Sequence, residues 1–186
     1  LTSLDNGVSL AWILEELAAR KGQFSAQFVL MGYINPFYQY GYDKLVQDAD
    51  KAGVAGFIIP DLPLEESEDL QQALNSKNID LVHLIGLNTS KERMQAYAKR
   101  ASGFVYFVSV LGITGARESL PTLISAKLNE AKEAFDTPLA LGFGIKTPDQ
   151  VEQFADSMDG IVFGSALIDH IDAGNAPKEF MGRFTG

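Results

Sequence analysis

Short apolar runs, each followed by a segment with helical spacing, recur along the whole sequence and constrain its fold more than any other feature. Six runs rich in β-branched and aromatic residues predict strands at residues 28–33, 56–61, 81–85, 104–109, 138–142 and 160–163. Continuous apolar stretches such as Val105-Tyr106-Phe107-Val108 are typical of strands buried on both faces, as in a parallel sheet covered by helices. The sequence therefore predicts a parallel βα repeat.

Helix start signals lie between the predicted strands. Thr147 is followed by proline at the first helical position and by Gln150 at the third, and Thr89 with Glu92 forms a similar capping box. Ser9 and Ser67 are candidate caps for two further helices. We therefore expect a helix to begin at each of these positions.

Two apolar stripes indicate which helix faces are buried. The first has the spacing of one helix face, and the second is expected to pack into the core. Their members are Tyr42, Leu45, Val46 and Ala49 in the first stripe, and Trp12, Ile13 and Leu17 in the second.

The predicted strands begin about 22 to 34 residues apart, and no Pro/Gly/Ser-rich linker interrupts them, so we expect one domain over residues 1–186. A closed (β/α)8 TIM barrel typically takes about 250 residues, so about six of its eight βα units are predicted here. An open doubly wound sheet is the alternative. Its glycine fingerprint is not matched, because Gly142-Phe143-Gly144 is followed by Thr147 where a third glycine belongs.

Composition excludes several functional classes. With 15 basic and 24 acidic residues the net charge is −9, which argues against nonspecific binding to nucleic acid or to an anionic membrane. The absence of cysteine removes disulfides and thiolate chemistry, and no run approaches the roughly 20 apolar residues of a membrane-spanning helix. A soluble, cytoplasmic protein is expected.

Glycines follow three of the predicted strands, at residues 112–115, 142–144 and 164. Glycine at such a position allows backbone N–H groups to approach an anion closely, although each glycine alone is more often ordinary turn chemistry. In a barrel, the loops after the last two strands commonly bind phosphate. If the last two predicted strands are those two, then Gly144, Gly164 and Ser165 form a phosphate site.

Other polar and aromatic side chains have two interpretations each. Asp61 ends a strand and could lie in the site, or it could be a loop acid or a helix cap. Tyr33 and Tyr106 are near strand ends but could be ordinary packed aromatics. His83 and His170 are too isolated for a metal set, so no metal site is predicted.

Several of these motifs together resemble the tryptophan synthase α subunit family. The similarity covers nearly the whole chain and is carried by five runs, of which the second and third are highly specific to this family. The matching runs are Leu30-Met31-Gly32-Tyr33-Ile34-Asn35-Pro36, Ile59-Pro60-Asp61-Leu62-Pro63-Leu64-Glu65-Glu66-Ser67, Gly112-Ile113-Thr114-Gly115, Leu141-Gly142-Phe143-Gly144-Ile145 and Gly164-Ser165-Ala166. The resemblance implies a TIM barrel lyase of tryptophan biosynthesis. Such an enzyme cleaves indole-3-glycerol phosphate, by a retro-aldol reaction, to indole and glyceraldehyde 3-phosphate.

The resemblance also implies roles for individual residues. Thr114 would help a mobile loop close over substrate, and Asp61 would support the site. The phosphate would bind at Gly115, Gly144, Gly164 and Ser165. The indole pocket would consist of Tyr33, Ile58, Pro60, Leu84, Tyr106 and Phe143. No cofactor is expected in this chain; pyridoxal phosphate is expected in a partner β subunit, which receives the indole in an α2β2 complex.

One part of the family's pattern has no match. The glutamate and aspartate that supply the family's acid/base chemistry belong upstream of Leu1, so two N-terminal βα units and both carboxylates are expected to be absent from residues 1–186. The 186-residue chain is accordingly expected to be inactive by itself. Two alternatives remain: a noncatalytic module that binds the β subunit, and another phosphosugar-binding barrel enzyme.

Overall fold

The computed structural model describes residues 7–108, 120–142, 145 and 147–184. The chain divides into two compact units, Leu1–His83 and Leu84–Gly186. The first contains α1 (Leu10–Ala19), β1 (Phe28–Met31), α2 (Ile34–Tyr40), α3 (Tyr42–Ala52), β2 (Val54–Ile58), a 3₁₀ turn (Leu64–Glu66), α4 (Glu68–Asn75) and the start of β3 (Asp80–Gly86). The second contains the end of β3, α5 (Lys91–Ala98), β4 (Val105–Val108), α6 (Leu120–Ala134), β5 (Leu139–Gly142), α7 (Pro148–Glu152), a 3₁₀ turn (Ala155–Ser157), β6 (Gly160–Ile161), α8 (Ser165–Asp172) and α9 (Pro177–Met181).

All six predicted strands are present, and the paired strands are parallel. In the first unit β2 pairs with β1 and with β3, and Ile58 is the partner of Met31 on one side and of Val82 on the other. In the second unit β5 pairs with β4 and with β6, and Gly142 lies opposite Val108. Strand order follows chain order within each unit, as the βα repeat predicts.

Each unit has its own apolar core between strands and helices. In the first, Leu45 and Ala49 of α3 are completely buried with Phe57 of β2, which confirms the predicted stripe on α3. In the second, Phe107 and Leu141 are completely buried with Leu128, Ile124 and Ala131 of α6. Because side chains alternate along a strand, Ile58 and Tyr106 point to the face opposite these cores.

The structure corrects two predictions about helices. Trp12 is 47% exposed, and Leu14 is the buried residue of α1, because α1 turns the face with Leu10, Leu14 and Leu17 toward the core. The cap of α5 is Ser90, whose Oγ accepts a hydrogen bond from the Arg93 amide at 3.2 Å. The hydroxyl of Thr89, which the sequence wrongly predicts as the cap of α5, accepts a hydrogen bond from the Gly86 amide at 2.9 Å and so closes the turn after β3.

The other helix starts agree better with the sequence. Ser9 caps α1 by accepting from the Trp12 amide at 3.2 Å, and the Thr147 amide donates to Gln150 Oε1 at 3.2 Å, as in a capping box. Ser67 stands before α4, but its hydroxyl donates to the Leu64 carbonyl. The prediction of one domain over residues 1–186 stays a prediction.

Candidate active site

In the first unit, four of the predicted site residues meet where β1 and β2 end. The Gly32 amide donates to the Ile58 carbonyl at 3.1 Å and extends the pairing of the two strands by one residue. Tyr33 follows directly and is 68% exposed, whereas Ile58 is 7% exposed. Pro60 and Asp61 form the exposed turn just after β2. The carboxyl ends of these parallel strands thus present an aromatic ring, an apolar side chain and a carboxylate.

Asp61 caps the helix that begins beside it. Its Oδ1 accepts a hydrogen bond from the Ile34 amide, the first of α2, at 2.8 Å. A carboxylate at this position satisfies a free N–H of the first turn and interacts favourably with the positive end of the helix dipole. The structure therefore confirms Asp61 as a helix cap, and the amide that it caps belongs to Ile34, the residue directly after Tyr33.

Close packing fixes the path of the chain at Tyr33. A Cβ atom on Gly32 would lie 3.0 Å from Cζ of Phe37, so glycine allows α2 to approach the end of β1. Phe37 is 4% exposed, and its ring meets that of Phe57 edge to face at a centroid distance of 5.3 Å. The residues on both sides of Tyr33 are thus held in place, although its own ring projects from the surface.

In the second unit, Tyr106 lies across the end of β5. It occupies the face of β4 opposite the core, and the ring lies directly over Gly142, the last residue of β5. Burial raises the pKa of the Tyr106 hydroxyl, because the charged form is poorly solvated at this position. Leu84, also predicted for the indole pocket, lies partly buried in β3. These side chains provide apolar and aromatic surface of the kind that a flat indole ring requires.

Gly164 and Ser165 lie where β6 leads into α8. Gly164 is the residue before the helix, and its carbonyl accepts from the Leu167 and Ile168 amides at 3.1 Å each. A Cβ atom built at Gly164 meets nothing within 4 Å, so the space beside this turn is open. A helix start with open space beside it suits an anionic group, because the N–H groups and the helix dipole both favour negative charge.

The remaining predicted site residues lie outside the described part of the chain. They are Thr114, Gly115, Phe143 and Gly144. Among the described residues no three His, Asp or Glu side chains are grouped as a metal site, and no described helix has the length and apolar character that a membrane span requires.

Sequence reasoning missed two features of these units. One is the role of Gly142, for which the sequence predicts a place in a glycine turn and the structure shows close packing under the Tyr106 ring. The other is a network of side-chain hydrogen bonds between the end of α2 and α3, formed by Tyr40, Lys44, Asp48 and Lys51. The spacing of Lys44 and Asp48 by four residues was a detectable signal for an ion pair, but nothing local connects Tyr40 to it.

A family model described as tryptophan synthase alpha chain matches residues 1–184. The chain belongs to the tryptophan synthase alpha chain family. This membership confirms the function expected from the sequence, a lyase subunit of tryptophan biosynthesis, and does not favour the noncatalytic module or another phosphosugar barrel.

Two individual tryptophan synthase alpha chains illustrate how similar this chain is to its relatives in sequence. That of Solidesulfovibrio magneticus is 57% identical over 186 residues, which are 100% of this chain and 73% of the relative. That of Nitratidesulfovibrio vulgaris is 51% identical over 179 residues, or 96% of this chain and 70% of the relative.

Solved structures confirm the fold class. The tryptophan synthase alpha chain of Legionella pneumophila is 33% identical, with a TM-score of 0.81 over 96% of this chain and 68% of that one. A structure of the tryptophan synthase α2β2 complex from Pyrococcus furiosus is 30% identical and matches with a TM-score of 0.85, over 97% of this chain and 74% of that one. The parallel βα units described above thus belong to the TIM barrel of this family.

Proposed function

We propose that the site residues named above serve the cleavage of indole-3-glycerol phosphate, with separate contributions from the two units. The observation that carries the proposal is the position of most described candidates, Tyr33, Ile58, Pro60, Asp61 and Gly164, at the carboxyl end of a strand or in the segment after it, where TIM barrel enzymes bind their substrates. The Tyr106 ring also lies over the last residue of β5. Cleavage breaks the bond between indole C3 and the glycerol chain. A proton is delivered to C3, and a hydroxyl proton leaves as the aldehyde forms.

The first unit is proposed to supply part of the indole wall. Tyr33, Ile58 and Pro60 present aromatic and apolar surface, while Asp61 holds the start of α2 and so keeps Tyr33 in place. This makes Asp61 a supporting residue and leaves proton transfer to other groups. Its bond to the Ile34 amide is the physical basis for that role.

The second unit is proposed to supply Tyr106 and Leu84 to the indole wall and the start of α8 to the phosphate. Gly164 and Ser165 would present backbone N–H groups to a dianion, in the open space beside Gly164. Gly115, Gly144 and Phe143 are assigned to the same ligand by the family's pattern alone. Thr114 is assigned to loop closure on the same basis.

The family's pattern assigns proton transfer to a glutamate and an aspartate for which residues 1–186 offer no match. We therefore expect the 186-residue chain to bind substrate analogues but to release indole very slowly. No cofactor is proposed for this chain, and pyridoxal phosphate is proposed for the β partner. Assembly with a β subunit is supported by the α2β2 complex of the Pyrococcus furiosus relative. A cytoplasmic location is proposed from membership of this biosynthetic enzyme family.

Calorimetry with a non-cleavable indole alkyl phosphate tests the binding function directly. We expect saturable binding to the 186-residue chain that inorganic phosphate and indole each weaken by competition. Tyr33→Ala and Gly164→Val should each lower the affinity. No detectable binding by the folded chain would contradict the proposal.

A kinetic test addresses loop closure and proton transfer. In a form with robust indole release, Thr114→Val keeps the side-chain shape but removes the hydroxyl donor, so cleavage should slow by a factor of about 10 to 1,000. Asp61→Asn should cause a smaller loss. Robust turnover by the 186-residue chain itself would place the proton-transfer groups within Leu1 to Gly186 and contradict the assignment of roles.

A further inference from the structure

Helix α2 is held by side chains at both of its ends. It comprises Ile34–Tyr40, seven residues, and so spans about 10 Å. Asp61 binds the first amide of the helix, and Tyr33 directly precedes that amide. Tyr40, the last helical residue, is bound by side chains of α3.

The contact at Tyr40 is a network with three partners. Its hydroxyl donates to Oδ2 of Asp48 at 2.9 Å and accepts from Nζ of Lys44 at 2.6 Å. Lys44 also donates to the same Asp48 oxygen at 2.8 Å, and Lys51 donates to the other oxygen at 3.1 Å. The Lys44 ammonium lies 3.9 Å from the centre of the Tyr40 ring, which adds a cation–π contact.

The network joins two helices across a sharp turn. The Lys44–Asp48 pair alone would be an ordinary exposed pair within α3, and such pairs contribute little to stability. Tyr40 is the last residue of α2 and is separated from α3 by Gly41, whose φ of 85° turns the chain between the two helices. Backbone bonds of Gly41 to the Tyr38 carbonyl and from the Leu45 amide join the two helices at this turn. The hydroxyl of Tyr40 adds a side-chain link between the end of α2 and α3, one turn further along α3.

An open groove lies beside Tyr40. It has a volume of about 180 Å³ and is lined by Ala11 and Leu14 of α1 together with Tyr40, Lys44 and Asp48. Because Tyr40 borders this groove and is not enclosed by core side chains, the hydroxyl bonds contribute more to its position than they would in a filled core. The middle of α2 is well packed, since Phe37 contacts Phe57 and Gly32.

We propose that Tyr40 is a positioning residue for Tyr33: held by Asp48 and Lys44, it fixes the far end of α2 and so keeps the Asp61–Ile34 bond and the Tyr33 ring in place. A short helix moves as a rigid unit, so a displacement at Tyr40 reaches Ile34 and Tyr33 about 10 Å away. The effect on ligand binding rests on the function proposed for Tyr33. The effect on the Asp61–Ile34 bond does not.

Amide hydrogen exchange of the 186-residue chain, measured by NMR, tests the structural step. In Tyr40→Phe only the hydroxyl is removed, and exchange at the Ile34 amide should become about 3- to 10-fold faster, as expected for loss of one hydrogen bond. The control is Tyr38→Phe, which removes an exposed hydroxyl from the same helix and should leave Ile34 unchanged. The Gln71 amide, bonded to the Ser67 carbonyl at 2.8 Å in the same unit, serves as internal reference for a general loss of stability.

Two results would overturn this step: an Ile34 exchange rate that is the same in Tyr40→Phe and Tyr38→Phe, or an equal acceleration at Gln71. Asp48→Asn provides a second variant, because its amide oxygen can still accept from the Tyr40 hydroxyl while the ionic bonds to the lysines are lost. It should accelerate exchange at Ile34 less than Tyr40→Phe does. A larger effect of Asp48→Asn would mean that the lysine bonds, and not the hydroxyl, hold α2.

Calorimetry tests the functional step with two probes, a non-cleavable indole alkyl phosphate and inorganic phosphate. Tyr40→Phe should lower the affinity for the indole alkyl phosphate by about 2- to 10-fold and leave the affinity for inorganic phosphate unchanged. A general loss of stability would lower both affinities. If Tyr33→Ala weakens the indole probe but Tyr40→Phe does not, the transmission along α2 is overturned. If Tyr33→Ala has no effect either, the proposed function of Tyr33 has failed, whatever Ile34 exchange shows.

Discussion

The Tyr106 ring occupies the space that a side chain at position 142 would need. A Cβ atom built on Gly142 would overlap Cε2 and Oη of Tyr106 and lie 2.7 Å from Cζ. The two residues belong to neighbouring strands, and Gly142 is paired with Val108, two residues beyond Tyr106. Glycine is therefore required here for close packing, since its φ lies outside the positive region where only glycine is relaxed.

Gly142→Ala should consequently destabilise the second unit. The added methyl must displace the Tyr106 ring from the strand end, and such overpacking typically costs about 1 to 3 kcal/mol. Urea denaturation followed by circular dichroism measures the free energy of unfolding. A folded variant as stable as the parent would show that the ring can move away freely.

A double mutant separates the clash from other effects. Tyr106→Val removes the ring and keeps a strand-forming side chain, so Gly142→Ala should cost at least about 1 kcal/mol less in that background. Strictly additive losses in the double mutant would argue against a direct contact. Tyr106→Val alone should also lower the affinity for the indole alkyl phosphate, because the proposed indole wall loses an aromatic ring.

Gly164→Val tests the anion site without the complication of a clash. Nothing lies within 4 Å of a Cβ atom at Gly164, so we expect the free energy of unfolding to fall by no more than about 1 kcal/mol, the cost of a poorer residue before a helix. Affinity for inorganic phosphate should nevertheless fall by about 1 to 3 kcal/mol, because the side chain crowds the N–H donors. Unchanged phosphate affinity, measured by calorimetry on the folded variant, would remove Gly164 and Ser165 from the site.

Much of the fold could be predicted because the signals are local. Apolar runs such as that around Phe107 identify the strands, and the stripe of Leu45, Val46 and Ala49 identifies the buried face of α3. The strand ends differ by only a few residues from those expected. Local signals fail where two candidates are adjacent, as with Thr89 and Ser90, because either hydroxyl could cap α5 and only the backbone path decides between them.

The site was less predictable because it depends on contacts between distant residues. Asp61 and Ile34 are 27 residues apart, and no spacing rule connects them. The fit of Tyr106 to Gly142 depends on the register of two strands, which the sequence does not specify on its own. Trp12 was misplaced for a related reason: helical spacing shows that a stripe exists, but which side faces the core is decided by the partner elements.

Asp61→Ala should cost about 1 kcal/mol of unfolding free energy, the typical value for loss of a helix cap. Asp61→Asn should cost less than half of that, because an amide oxygen can still accept from the Ile34 amide. Urea denaturation of the three proteins side by side gives the comparison. Equal losses in the two variants would indicate that the charge of Asp61, and not its hydrogen bond, stabilises the start of α2.

The Asp48 network should make stability sensitive to acid. Hydrogen bonds from Lys44, Lys51 and Tyr40 hold the pKa of the Asp48 carboxyl well below its usual range. The folded state therefore binds fewer protons than the unfolded state, in which this pKa is about 3.9, so the contribution is fully present above about pH 5. It is lost progressively as the pH falls further toward the folded-state pKa.

Lys44→Met removes the largest cause of that low pKa and should reduce the acid sensitivity. We expect the urea midpoint to fall less between pH 5 and pH 3 in Lys44→Met than in the parent, since less of the Asp48 stabilisation remains to be lost. The other carboxylates contribute equally to both proteins and cancel in the comparison. Lys178→Met, in α9 of the second unit, changes the net charge by the same amount and should keep the parental pH dependence. If both variants behave alike, the effect is one of net charge, and the Tyr40–Lys44–Asp48 network does not contribute to acid sensitivity.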